Sequence, residues 1–179
     1  YMLTLILKSL YLMLPAYFAN MAPIICKKIK FLNVPVDFNE KLEGKPIFGR
    51  NKTYRGLLAG VIFAVIIAFI QFLLSRFNFF SSISILDYSE WHIIGFLLGL
   101  GALVGDMAES FIKRRLNIKP GKSFIPFDQT DYAIGALIFI SILNRLELSF
   151  IFITIALSFM LHIIVNHLSF LFKIRKSRW

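Results

Sequence analysis

The chain has 179 residues, 58% of them hydrophobic, and only 17% are charged. With a mean hydropathy of +0.73, this excludes a disordered chain and argues against a soluble globule, which could not bury so much apolar surface at this size. The formal net charge of +10 would suggest nucleic acid in a soluble protein. In a membrane protein it marks the cytoplasmic face, and no nucleic-acid partner is expected. Cys26 is the single cysteine, so no intrachain disulfide can form.

A helix that crosses a bilayer needs about 20 mostly apolar residues. Five candidates follow in chain order, which predicts an all-α, polytopic membrane protein forming one integral domain over residues 1–179. The first span runs from about Leu3 to Ile25 and contains Lys8, Pro15, Asn20 and Pro23. It lacks a basic leading region and a small-residue cleavage site, so it reads as a span rather than a signal peptide. The second runs from about Leu57 to Leu74, the third from about Trp91 to Ile112, the fourth from about Tyr132 to Leu143, and the fifth from about Leu148 to Phe172.

Basic residues are distributed unequally between the connecting segments. Eight Lys or Arg lie between Lys27 and Arg55, five between Lys113 and Lys122, and four between Lys173 and Arg178. With five spans these regions share one side, whereas the other receives Arg76 and Arg145. The asymmetry predicts cytoplasmic loops at about 27–55 and 113–131, a basic cytoplasmic tail at 173–179, the N-terminus outside and the C-terminus inside. Nothing in the sequence specifies an oligomeric state.

Acidic residues at the edge of apolar helices are costly and default to function. Asp87, Glu90 and Glu147 read as solvated charges on the outer side. Asp106, Glu109, Asp128 and Asp131 gather instead at the inner boundary. On a helix, Asp106, Glu109, Ser110 and Lys113 share one face, and Glu109 precedes Lys113 by the four residues that favour an ion pair. The fourth span, at about 20 Å, is shorter than a hydrocarbon core of roughly 30 Å. Its acidic end can therefore lie below the membrane surface and build a polar recess with the third span. Carboxylates suit Mg²⁺, which takes a few hard oxygens together with substrate phosphates. Interleaved cations are what phosphoryl or nucleotidyl chemistry needs. In the inner loop, Gly49 permits a tight turn and Thr53 caps the second span, although Phe48 to Gly56 does not match a P-loop.

His162 and His167 are five residues apart and do not form a metal pair at helical spacing. The pairs Gly56/Gly60, Gly95/Gly99 and Gly101/Gly105 predict close helix packing. The last two point to different faces, so the third span should be central. Composition and spacing leave three readings open: an enzyme acting on phosphates, a small transporter, and a lipid-binding structural protein. A transporter should place ionisable groups near the bilayer midplane.

The stretch Gly105-Asp106-Met107-Ala108-Glu109-Ser110-Phe111-Ile112-Lys113-Arg114, followed by Lys119, Phe124-Ile125-Pro126 and Asp128-Gln129-Thr130-Asp131, resembles the phosphatidate cytidylyltransferase signature. The family pattern is S-x-x-K-R-x4-K-D, then a Gly/His-rich turn and D-R-x-D. Here Pro120 follows the lysine, the Gly/His-rich turn is absent, and Gln129 replaces the arginine. This abridged form resembles the archaeal branch, the CDP-archaeol synthase family, as do Leu14 to Asn20, Pro35-Val36-Asp37-Phe38 and Lys52 to Gly56.

The resemblance implies an Mg²⁺-dependent transfer of CMP from CTP to a lipid phosphate, giving a CDP-lipid and pyrophosphate. The lipid is of archaeal type or, alternatively, phosphatidate. It further implies Asp106, Glu109, Asp128 and Asp131 as metal ligands, with Asp106, Asp128 and Lys113 catalytic. Lys52, Thr53, Arg55, Ser110, Arg114, Lys119 and Asn20 are implied to contact substrate, at a multi-pass cell-membrane site facing the cytoplasm.

Overall fold

The computed structural model describes residues 2–171, with side chains described for 2–168. The expected basic tail at 173–179 lies outside the described residues. The elements in order are α1 (Met2–Ile25), a 3-10 turn (Cys26–Lys28), β1 (Lys41–Leu42), β2 (Lys45–Pro46), α2 (Tyr54–Leu74), α3 (Asn78–Ile83), a second 3-10 turn (Tyr88–Glu90), α4 (Trp91–Arg115), α5 (Phe127–Ile140) and α6 (Leu148–Leu171). The fold is mostly helical, and the paired strands of the 27–55 loop depart from an all-α expectation. Glu43 and Gly44 form their turn at φ 53° and 77°. Two successive positive φ values are what a two-residue hairpin turn requires.

Among the described residues, four helical stretches are long and apolar enough to cross a membrane: Met2–Lys28, Tyr54–Leu74, Tyr88–Arg115 and Leu148–Leu168. Their packing is that of a membrane bundle. On α2, Gly56, Gly60, Ala64 and Ala68 are buried, whereas Leu58, Ile62, Ile66 and Ile70 are exposed. Small residues let helix backbones approach, and large apolar ones suit contact with lipid tails. Polar side chains stitch α6 to its neighbours. Thr154 Oγ1 donates to Ser9 Oγ at 3.0 Å, and Tyr132 OH donates to the Ser158 carbonyl at 3.3 Å.

α4 is central, packed against α1, α2 and α5. Gly95 and Gly99 face α2, where a Cβ on Gly99 would come within 2.6 Å of Ala64 Cβ. Gly101 and Gly105 face α5, where a Cβ on Gly101 would come within 2.6 Å of the Gly135 carbonyl. The two glycine pairs thus serve different neighbours.

The expected fourth span, α5, differs from its expected bounds. It starts at Phe127 rather than about Tyr132, and ends at Ile140 rather than Leu143. Apolarity alone misses its first turn, which is polar. There Asp128 Oδ2 accepts the Phe124 N–H at 2.8 Å, and Thr130 Oγ1 donates to the Pro126 carbonyl at 3.3 Å. A carboxylate in the first turn also complements the helix dipole. At about 1.5 Å per residue, the 14-residue α5 is only about 21 Å long.

Candidate active site

The site begins with the approach of α4 to α5. A Cβ on Gly105 would collide with the Asp131 carbonyl, and one on Gly135 with the Gly101 carbonyl. Backbone against backbone, the two helices bring their acidic residues to one end of the bundle. Asp106, Glu109 and Asp131 each offer a carboxylate oxygen, and these oxygens lie within 4.8 Å of one another.

Two lysines enter this acidic cluster. Lys52 Nζ lies 2.5 Å from Asp106 Oδ2. Lys113 Nζ lies 2.7 Å from Asp128 Oδ1 and 3.1 Å from Glu109 Oε1. Asp128 lies outside the Asp106, Glu109 and Asp131 cluster: its oxygens accept from Lys113, which also pairs with Glu109, and from the Phe124 N–H. Glu109 and Lys113 are buried, and Asp106 and Asp128 are partly exposed. Four carboxylates and two ammonium groups therefore meet at this end of the bundle. Glu109 Oε1 is buried, and its approach to Lys113 is not an aligned hydrogen bond. Three converging hard-oxygen donors, on Asp106, Glu109 and Asp131, fit a divalent cation of the Mg²⁺ type.

The loop before α2 completes the site. Thr53 caps α2, accepting the Gly56 N–H on its Oγ1 at 3.2 Å. Val36 donates its N–H to the Lys52 carbonyl at 2.8 Å, and Tyr54 donates to the Val34 carbonyl at 3.0 Å. Lys52 is thus held on a short antiparallel pairing rather than on a free loop. Pro23, Asn51, Lys52, Gly56, Leu103 and Asp106 line a recess of about 40 Å³ at this point.

The remaining expected substrate contacts are scattered. Arg114 and Ser110 are buried on α4, and Arg114 Nε has no hydrogen-bond partner among the described residues. Arg55 donates to the Ile29 carbonyl, and Lys119 is exposed on the α4–α5 loop. Asn20 is half-buried on α1, one turn before the recess-lining Pro23, and does not itself line the recess.

Two residues have organising roles that the sequence did not assign, although Asp37 lies in the Pro35 to Phe38 piece of the family resemblance. Asp37 is buried and accepts the N–H groups of Asn39, Phe48 and Gly49 at 3.1, 2.9 and 2.9 Å. Burial pushes its carboxyl pKa up, but the backbone donors of Gly49, Phe48 and Asn39 outweigh it and hold the pKa below the ordinary value. Arg115 donates to the carbonyls of Leu42, Lys45 and Pro46. The available signal for Asp37 was an acidic residue in a strongly basic loop.

A family model described as CarS-like, CDP-archaeol synthase, matches residues 2–179. The chain belongs to the CDP-archaeol synthase family. It is 35% identical over 177 residues to the CDP-archaeol synthase of Methanocaldococcus jannaschii, covering 98% of each chain. It is 34% identical over 175 residues to that of Pyrococcus furiosus, covering 97% of this chain and 98% of the relative. A solved structure of an intramembrane enzyme for archaeal membrane lipid biosynthesis superposes with a TM-score of 0.75 at 32% identity, over 90% of this chain and 94% of the other. Membership of the CDP-archaeol synthase family favours the enzyme reading over the transporter and structural readings.

Proposed function

We propose that this chain transfers CMP from CTP to an archaeal ether-lipid phosphate, giving CDP-archaeol and pyrophosphate, with the basic end of the bundle as its cytoplasmic active-site face. The observation that carries the reading is the convergence of Asp106, Glu109, Asp131, Lys52 and Lys113 at that end of a membrane bundle, in a chain of this family. CTP then arrives from the cytosol while the lipid stays in the leaflet, and their phosphates meet at headgroup level. In this topology α5 is the fourth of five spans, short enough for its acidic first turn to stand at headgroup level beside Asp106 and Glu109. The N-terminus lies outside, the C-terminus inside, and residues 1–179 form one integral domain.

Asp106, Glu109 and Asp131 would hold Mg²⁺, with Asp128 beside them through its link to Lys113. When bound, the cation would supply charge that offsets the negative charge of the reacting phosphates. A lipid phosphate oxygen displaces pyrophosphate from the α-phosphorus of CTP. A phosphate monoester is already anionic near neutral pH, its second pKa being about 6, so no strong general base is needed. Lys113, fixed between two carboxylates, and Lys52, at the edge of the recess, stabilise charge on the transferring group. Arg114 keeps an unpaired donor for the same purpose. Ser110, Thr53, Arg55, Lys119 and Asn20 serve as peripheral substrate contacts.

An apolar groove supports the lipid half of the reaction. It has a volume of about 390 Å³ and is lined by Leu32, Tyr54, Leu57, Leu58, Val61 and Phe96. Leu57 lines both this groove and the polar recess, so an apolar chain in one would place its headgroup at the other. The names of the relatives favour the ether lipid over phosphatidate. The test is a micelle assay with Mg²⁺, labelled CTP and either an unsaturated archaeal ether-lipid phosphate or diacyl phosphatidate. A CDP-lipid formed from the ether lipid is the expected result. Product from phosphatidate alone would reassign the substrate, and no product with either, from folded protein, would overturn the proposal.

A further inference from the structure

We propose that Asp37 and Arg115 are positioning residues that pin the loop before α2 in the one shape that delivers Lys52 to Asp106. The proposal rests on the reading of Lys52 as a phosphate-facing cation.

Asp37 closes the loop on itself. Its Oδ2 accepts both the Phe48 and the Gly49 N–H, each at 2.9 Å. Gly49 in turn accepts the Lys52 N–H on its carbonyl at 3.2 Å and sits at φ 96°, a conformation that favours glycine. Asp37 also directly follows Val36, whose N–H holds the Lys52 carbonyl. One buried carboxylate thus fixes both approaches to Lys52.

Arg115 ties the same loop to the helix that carries Asp106. Its guanidinium donates to the Leu42, Lys45 and Pro46 carbonyls at 3.0, 3.1 and 2.6 Å, and Lys45 Nζ returns a bond to the Arg115 carbonyl at 2.9 Å. The guanidinium also lies 5.1 Å from the centre of the Phe111 ring, which pairs with Phe48 at 6.4 Å. Both terminal nitrogens of Arg115 are thus engaged on the hairpin, while its buried Nε has no hydrogen-bond partner among the described residues.

The loop does not rest in a relaxed conformation. Leu32, Phe38, Asn39 and Glu43 all have positive φ, from 48° to 63°. Non-glycine residues adopt this region rarely, and it persists where surrounding contacts over-determine it. Asp37 supplies such a contact at Asn39, and Arg115 supplies them on either side of Glu43, at Leu42 and Lys45.

The test is a double-mutant cycle on CTP turnover in micelles. Asp37→Ala and Arg115→Met are each measured with Lys52 intact and in the Lys52→Met background. With Lys52 present, each should lower kcat/KM by about 100-fold, the scale of a misplaced catalytic group. In the Lys52→Met background the same changes should cost less than about 3-fold, because they act through the residue already lost. Full losses in both backgrounds, or no loss with Lys52 intact, would overturn the proposal. A second readout does not depend on turnover. A nitroxide on Asn51→Cys, in a Cys26→Ser background, should be immobilised with Asp37 present and released by Asp37→Ala; equal mobility would overturn the latch. If the unsubstituted protein makes no CDP-lipid, the activity reading fails while the nitroxide still judges the latch.

Discussion

Gly105 and Asp131 meet so closely that the Asp131 carbonyl occupies the space where a Gly105 side chain would begin. This contact places the carboxylates of α4 and α5 in one cluster. Gly105→Ala should therefore act twice. Forcing the backbones apart costs about 1–3 kcal/mol, visible as a lower melting temperature in detergent, and it should also reduce turnover. Ala108→Leu, on an exposed face of the same helix, should change neither by much.

The acids should separate by measurement. Asp106→Asn and Asp131→Asn should weaken Mn²⁺ binding, read as more of the free-ion EPR signal remaining at a given protein concentration, and lower turnover by at least about 100-fold, as loss of electrostatic stabilisation does. Asp128→Asn should lower turnover through Lys113 while leaving more of the Mn²⁺ affinity intact. Equal loss of Mn²⁺ binding in all three would make Asp128 a direct ligand.

Lys113 pairs with two carboxylates in a largely buried setting. Removing one partner of a buried pair costs about 3–5 kcal/mol, because the remaining charge is left uncompensated. Lys113→Met should destabilise the protein on that scale, and adding Asp128→Asn should recover part of the stability without recovering activity. Thermal unfolding of the two variants checks this.

The Asp37 latch carries its own pH signature. Its folded-state pKa is depressed, so its stabilisation is present above the unfolded carboxylate value of about 3.9 and is lost as pH falls through the lower folded value. Hydrogen exchange at Phe48 and Gly49 should stay slow, after correction for intrinsic rates, from pH 7 to about pH 4, and lose protection only below that. In Asp37→Asn the protection should be weaker at pH 7 and should not show this acid step.

The four long apolar stretches were legible because lipid imposes length and hydropathy together. The glycine pairs also foretold a central α4, since two spacings on different faces demand two neighbours. The start of α5 was not legible. Asp128, Gln129, Thr130 and Asp131 are polar, and only contacts such as the Phe124 N–H on Asp128 show that they form a helical turn. The strands at Lys41–Leu42 and Lys45–Pro46 are two residues each and leave no periodic trace. At the site, spacing placed Asp106, Glu109 and Lys113 on one face, but it could not divide Asp128 from Asp131. That division depends on how α5 is rotated against α4, a long-range packing property set by Gly101, Gly105 and Gly135. Arg115 looked like another cation in a basic run, and only its three carbonyl partners reveal a structural use.

The central claim is CMP transfer, and isotopic labelling tests it most directly. The purified protein is given Mg²⁺, ether-lipid phosphate and CTP labelled at either the α- or the γ-phosphorus. The account predicts that α-label moves into the lipid phase and γ-label stays in water as pyrophosphate. Label entering the lipid from the γ-position, or from neither position with folded protein, would contradict it.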